Sequence, residues 1–181
     1  MIDAGMRRKG TLAVSSSELL VDAFSRVQEA VRGAIEGLTE DQLAYRVDED
    51  ANSIGWLIWH LTRVQDDHVA DAAGIDQVWT SAGWDKKFGL ELDRQSTGYG
   101  HTSEQVAKVR VSAKNLLAYY DAVYEQTLEY VSGLTDADLP RIVDTAWDPP
   151  VTLAVRLVSV INDALQHAGQ AAFIRGVLAR A

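Results

Sequence analysis

The sequence predicts an all-α fold, an up-down antiparallel four-helix bundle. Four long stretches carry apolar residues at helical spacing, no stretch alternates as a strand should, and capping residues or glycines mark the expected ends. Helices of about 20 to 30 residues would each run roughly 30 to 45 Å at about 1.5 Å per residue, and matched lengths favour packing side by side.

The first helix is expected from about Ser16 to Glu36. Ser15 and Glu18 have the spacing of a capping box, and Gly37 is a natural stop. The second runs from about Ser53 to Ala73, entered through Asn52 or Ser53 and closed by Gly74. The third starts at Thr102, with Gln105 placed for reciprocal capping, and ends near Ser132 before Gly133. The fourth begins at Asp148, a capping carboxylate, with Pro149 and Pro150 in a first turn that needs no amide donors, and reaches about Arg180.

A weak internal repeat points to two related helix pairs. Gly37-Leu38-Thr39-Glu40-Asp41-Gln42-Leu43 is echoed by Gly133-Leu134-Thr135-Asp136-Ala137-Asp138-Leu139, each between two long helices. Thr39 and Thr135 read as caps of a short extra turn, with Leu43 and Leu139 tucked under the bundle end. The connection from Ile75 to His101 is long for a compact domain and holds Trp79, Trp84, Phe88 and Tyr99. Its aromatics either pin it to the bundle or form a wall or lid over a site.

Length and composition bound the function. The 181 residues fit one domain, 1–181, with a core of its own. Met1–Val14 reads as a mobile tail with no signal-peptide core, and no run of 18 apolar residues exists, so secretion and membrane spanning are not expected. Cysteine is absent, which excludes a disulfide framework, a thiolate metal site and a cysteine nucleophile, and agrees with a reducing, cytoplasmic setting. The net charge of −9 opposes nucleic acid, and the one dense basic run, Arg7-Arg8-Lys9, reads as a solvated terminus.

The candidate chemistry lies in the histidines. His60 borders the core stripe of the second helix, and His167 sits within the small-residue stripe of the fourth, beside Ala164, Ala168 and Ala171. Asp163 is one turn before His167, so both project from one face. A facing imidazole would complete a three-ligand site with open positions. A metal-free pair, Asp163 with His60 or with Arg156, is the competing reading. His68 is expected inside the bundle, His101 at the surface where the third helix begins, and Asp67 as an acceptor for a His60 N–H.

These residues resemble the DinB/YfiT-like family of bacterial four-helix-bundle proteins, which includes bacillithiol-type S-transferases and the N-terminal bundle of the mycothiol-dependent maleylpyruvate isomerase. The resemblance rests on Asn52-Ser53-Ile54-Gly55-Trp56-Leu57-Ile58-Trp59-His60-Leu61 and on Asp163-Ala164-Leu165-Gln166-His167-Ala168-Gly169-Gln170, and covers about Ser16 to Arg180. It implies His60, Asp163 and His167 as ligands of a divalent metal, zinc first, with nickel, manganese or iron open. Asp163 departs from the family's usual His or Glu.

The implied activity is a metal-dependent transfer of an external low-molecular-weight thiol to a small-molecule substrate, or a related hydrolysis. A metal-bound thiol or water would be the reactive group, since no catalytic side chain is identified. A thiol-dependent isomerase ranks lower, because no second domain follows the fourth helix. Trp56, Trp79, Trp84, Tyr99 and Arg156 are the expected substrate contacts, with Arg156 taking an anionic group. A homodimer is expected, with Leu116, Leu117, Tyr119 and Tyr120 as candidate apolar contacts. The alternative is a non-enzymatic, stress-associated binding protein whose metal site is vestigial.

Overall fold

The structure, a computed structural model, describes residues 14–180. The expected tail therefore lies, except for Val14, outside the described residues. The elements are α1 (Ser16–Ile35), α2 (Glu40–Ala44), α3 (Ile54–Ala73), α4 (Val78–Ser81), α5 (Trp84–Phe88), α6 (Ser103–Ala107), α7 (Ala113–Ser132), β1 (Ile142–Asp144), β2 (Val151–Thr152) and α8 (Leu153–Leu178). The fold is all-α apart from a two-stranded antiparallel ribbon, in which Ile142 faces Thr152 and Asp144 faces Val151.

Capping chemistry sets the ends as the sequence predicts for α1 and α2. Ser15 with Glu18, and Thr39 with Gln42, form reciprocal capping boxes. Leu43 of α2 is buried beneath the bundle end. In the second half of the repeat Thr135 instead closes a turn on the Asp138 carboxylate, without a helix.

Two boundaries differ from expectation. The third helix is broken into α6 and α7, because Val109 and Val111 turn into the core and Ser112 caps a new start by accepting from the Asn115 amide. The fourth begins at Leu153 rather than Asp148. Thr152 caps it, accepting from the Val155 amide, and the residues before it are taken up by the β1–β2 ribbon.

The long helices α1, α3, α7 and α8 pack side by side. Each of α1 and α3 lies against both α7 and α8, while α1 and α3 sit across a diagonal. Cross-helix contacts fix the directions. Ser17 reaches the Val131 carbonyl and Arg32 reaches Asp121 (2.6 Å), so α1 and α7 are antiparallel. His60 meets His167 while Arg156 meets His68, so α3 and α8 are antiparallel as well. Gln65 bonds Thr127 and Ala72 bonds Tyr130, so α3 and α7 run the same way.

That parallel pair departs from the alternating up-down order expected from the sequence, and it accounts for the long connection. Between α3 and α7 the chain travels back along α3: Val78 binds Asp66, Ser96 binds Arg63, Thr97 binds His60, and Ser103 reaches Arg46. With this layer over it, α3 is buried on almost every side, including the uncharged run Ile54–Leu61. Leu116, Tyr119 and Tyr120, expected as dimer contacts, are fully buried, because α7 turns its apolar face to the core.

A buried polar network stiffens this layer. Arg63 and Asp66 are wholly buried and lie 3.5 Å apart. Asp66 accepts from the Tyr119 hydroxyl (2.8 Å) and from the Val78 and Trp79 amides, and Arg63 lies over the Trp79 ring. Burial, with the Asp66 carboxylate close by, pushes the Tyr119 pKa far up, so its hydroxyl stays a donor.

Candidate metal centre

Antiparallel packing of α3 on α8 brings the sequence-predicted triad together. One ligating atom each from His60, Asp163 and His167 lies within 4.8 Å of the others. The two imidazole rings meet edge to face with centroids 4.7 Å apart. Bonds of about 2.0–2.2 Å to a common ion are within reach of that spacing.

Both imidazoles are held in the tautomer a cation needs. His60 donates its Nδ1–H to the Thr97 carbonyl (2.5 Å), and His167 donates its Nδ1–H to the Asp163 carbonyl (2.8 Å). In each ring the Nε2 lone pair is left free, as in metal-ligating histidines oriented by a carbonyl. Burial lowers the His60 pKa, and His167 next to it adds to the effect, so the ring is neutral at pH 7.

Asp163 fits the same chemistry. Its Oδ2 is buried with no hydrogen-bond partner, and Oδ1 stands 3.5 Å from His167 Nδ1. A buried, unpartnered carboxylate oxygen is costly unless a positive group comes to it. Arg156 is not that group. It donates to Asp144 (2.7 Å) and to His68 Nδ1 (3.1 Å), because the ribbon carries Asp144 to its side. Arg156 therefore lies two turns from Asp163, committed elsewhere.

The other expected residues divide in two. Trp56 belongs to the site: it stacks on His60 with centroids 4.6 Å apart and 14° between planes. Tyr99 is almost fully exposed on the segment beside the site. Trp79 and Trp84 are buried around Tyr119 and Phe88 and anchor the connection instead. The connection is pinned by its tryptophans, and its Thr97 and His101 lie against His60 and Trp56.

Three further residues had escaped the sequence reading. Thr97 acts through its backbone carbonyl, which has no side-chain signature. Gly98 (φ +97°) follows it, and a Cβ there would stand 2.7 Å from His60 Nδ1 and 3.1 Å from Trp56 and Trp59 carbons. Only glycine tolerates both the dihedral and the approach. Ser96 binds His101 Nε2 (2.7 Å), whose Nδ1 accepts from Trp56 Nε1 (3.1 Å), so His101 braces the indole that covers His60. His101 also stacks on Trp59.

His68 is half-buried rather than central in the core, and Asp67 serves Gln77 (2.7 Å) instead of His60. Asp67 is turned to the connection, which carries Gln77, while His68 faces Arg156 of α8.

Comparison with known proteins agrees with this fold. A conserved protein from Enterococcus faecalis, of known crystal structure, superposes with a TM-score of 0.84 at 32% identity, covering 90% of this chain and 96% of the other. No curated protein matches the chain. The family described as mycothiol-S-transferase matches residues 19–179, which includes α3, the returning connection and α8. On that match this chain belongs to the mycothiol-S-transferase family, within the DinB/YfiT-like superfamily expected from its helix-two and helix-four motifs.

Proposed function

We propose that the chain is a divalent-metal-dependent S-transferase that joins an external low-molecular-weight thiol to an electrophilic small molecule. The observation that carries this reading is Asp163 Oδ2, buried and unpartnered beside two imidazoles whose Nδ1 atoms are already committed. His60, Asp163 and His167 would hold the ion, and zinc is the ion we favour for two imidazoles and a carboxylate. A cation in this place lowers the pKa of a bound thiol, supplying thiolate at neutral pH.

The chain's own residues supply the remainder. Thr97 and His101, the latter through Trp56, fix the His60 ring, and Trp56 closes one side against water. The thiol comes from outside, in keeping with a protein that has no cysteine. Sulfur forms a bond to the electrophilic carbon, the leaving group departs with the bonding pair, and the thiol proton passes to solvent. The absence of cysteine also agrees with a cytoplasmic setting. Among the described residues no helix is long and apolar enough to cross a membrane.

Elemental analysis joined to a conjugation assay tests the reading. The purified protein should carry near-stoichiometric metal and accelerate reaction of mycothiol with a haloaromatic electrophile. His167→Ala should lose both metal and rate while keeping its helical circular dichroism. Metal-independent conjugation, or a chain that takes up no added zinc, would overturn it.

A further inference from the structure

A cavity of about 550 Å³ opens between the start of α3 and the C-terminal half of α8. Its walls include Leu57, three residues before His60, and Gln170, three residues after His167. Three residues are about 4.5 Å of helix rise, so the cavity begins one turn from two of the three metal-site residues. Val47, Phe173 and Ile174 make it largely apolar, and Phe173 keeps two thirds of its surface exposed. Its volume suits an organic molecule of ordinary size.

The side chains that line it carry charge of one sign only. Asp50 stands on its rim, with Asn52 and Gln170 as neutral hydrogen-bonding groups, and no lysine or arginine among the described residues lines it. The arginines near it lie outside its lining and turn their N–H groups to other partners. Arg46 holds the Glu49 and Ala51 carbonyls and Ser103, Arg175 holds the Glu36 carbonyl, and Arg156 is bound to Asp144 and His68. An anionic group placed here would meet Asp50 with no cationic side chain in the lining to offset it, within a protein of net charge −9.

We infer that this cavity receives the electrophile, and that it selects a neutral or cationic molecule with an apolar body over an anionic one. The inference rests on the transferase reading for the word electrophile, but its charge preference is a property of the cavity. The expected discrimination is roughly fivefold, the scale of one like-charge contact at about 4 Å in water.

Three unreactive aromatic ketones of one shape test it: acetophenone, its 4-carboxylate and its 4-trimethylammonium analogue. Each is titrated into the full chain, with binding read from the Asn52 and Gln170 side-chain amide resonances. The neutral and cationic ketones should shift both amides and bind at least about fivefold more tightly than the carboxylate. Asp50→Asn should remove the preference for the cation over the neutral ketone, and Asp50→Arg should admit the carboxylate. Phe173→Ala should weaken all three together.

Equal binding of the carboxylate overturns the inference. So does the absence of any binding, or shifts confined to the separate hollow at Trp59, Trp79 and Asp85. The corresponding phenacyl bromides, with mycothiol, then report on chemistry: carbon–sulfur bond formation with loss of bromide. Charge-selective binding without conjugation would remove the transferase reading and leave the cavity's selectivity standing. Conjugation that ignores the charge on the bromide would do the reverse.

Discussion

The carbonyl of Thr97 and the ring of His60 are joined by a 2.5 Å hydrogen bond between a loop and a helix 37 residues earlier in the chain. That bond selects which imidazole nitrogen faces Asp163. A group acting on a histidine from behind in this way commonly changes metal affinity by about 10- to 100-fold.

Gly98→Ala should therefore disturb the metal site without touching a ligand. The new methyl would meet His60 and Trp56, and alanine would also be forced to a positive φ. A loss of about 1–3 kcal/mol in urea unfolding is expected, with weaker zinc binding by titration calorimetry. Gly100→Ala is the control. It has positive φ but open space around its Cβ position, so it should cost about 1–2 kcal/mol and leave zinc affinity unchanged.

Asp163→Asn separates a ligand role from a packing role. The neutral amide relieves an unpartnered buried oxygen, so the metal-free protein should keep or gain stability. Zinc affinity should fall at least about tenfold, more than one unit of logarithmic affinity. Thermal melts with and without chelator read both effects, and unchanged zinc affinity would count against the proposed centre.

Arg63→Met should be among the most damaging substitutions in the chain. It leaves Asp66 buried without its cation, and a cost of about 3–5 kcal/mol follows. Denaturant midpoints measure it. Asp66→Asn combined with Arg63→Met should recover much of the loss, because neither charge then remains.

Acidification should destabilise the metal-free protein. Burial lowers the pKa of His68, with Arg156 adding to it, and burial lowers that of His101 too, both from an ordinary 6.5. The folded chain refuses protons that the unfolded chain accepts. This contribution is fully present above pH 6.5 and is lost as pH falls from there toward the folded values. The melting temperature should drop across that window, and His68→Gln should flatten the slope. An unchanged slope would show that Arg156 does not hold His68 neutral.

Much of the site was legible because its signals are local. Asp163 and His167 share a helix face by spacing alone, and Ser15, Thr39 and Ser53 announce their helices by capping chemistry. What escaped depends on distant choices. Arg156 had two carboxylates within conceivable reach, and only the ribbon, which shows no alternation in two or three residues, settles it on Asp144. Thr97 contributes a carbonyl that every residue owns. The break at Lys108–Ser112 lies in a run whose helical spacing is sound, and it was decided by where Val109 and Val111 could be buried.

Because α3 and α7 point the same way, the segment between them is obliged to retrace the bundle's length, and its last stretch passes directly beside His60. Evolution can therefore rewrite that stretch while the four long rods keep their mutual fit. Changes in residues 90–101 should alter what surrounds His60, while the residues proposed to hold the ion stay on the rods themselves.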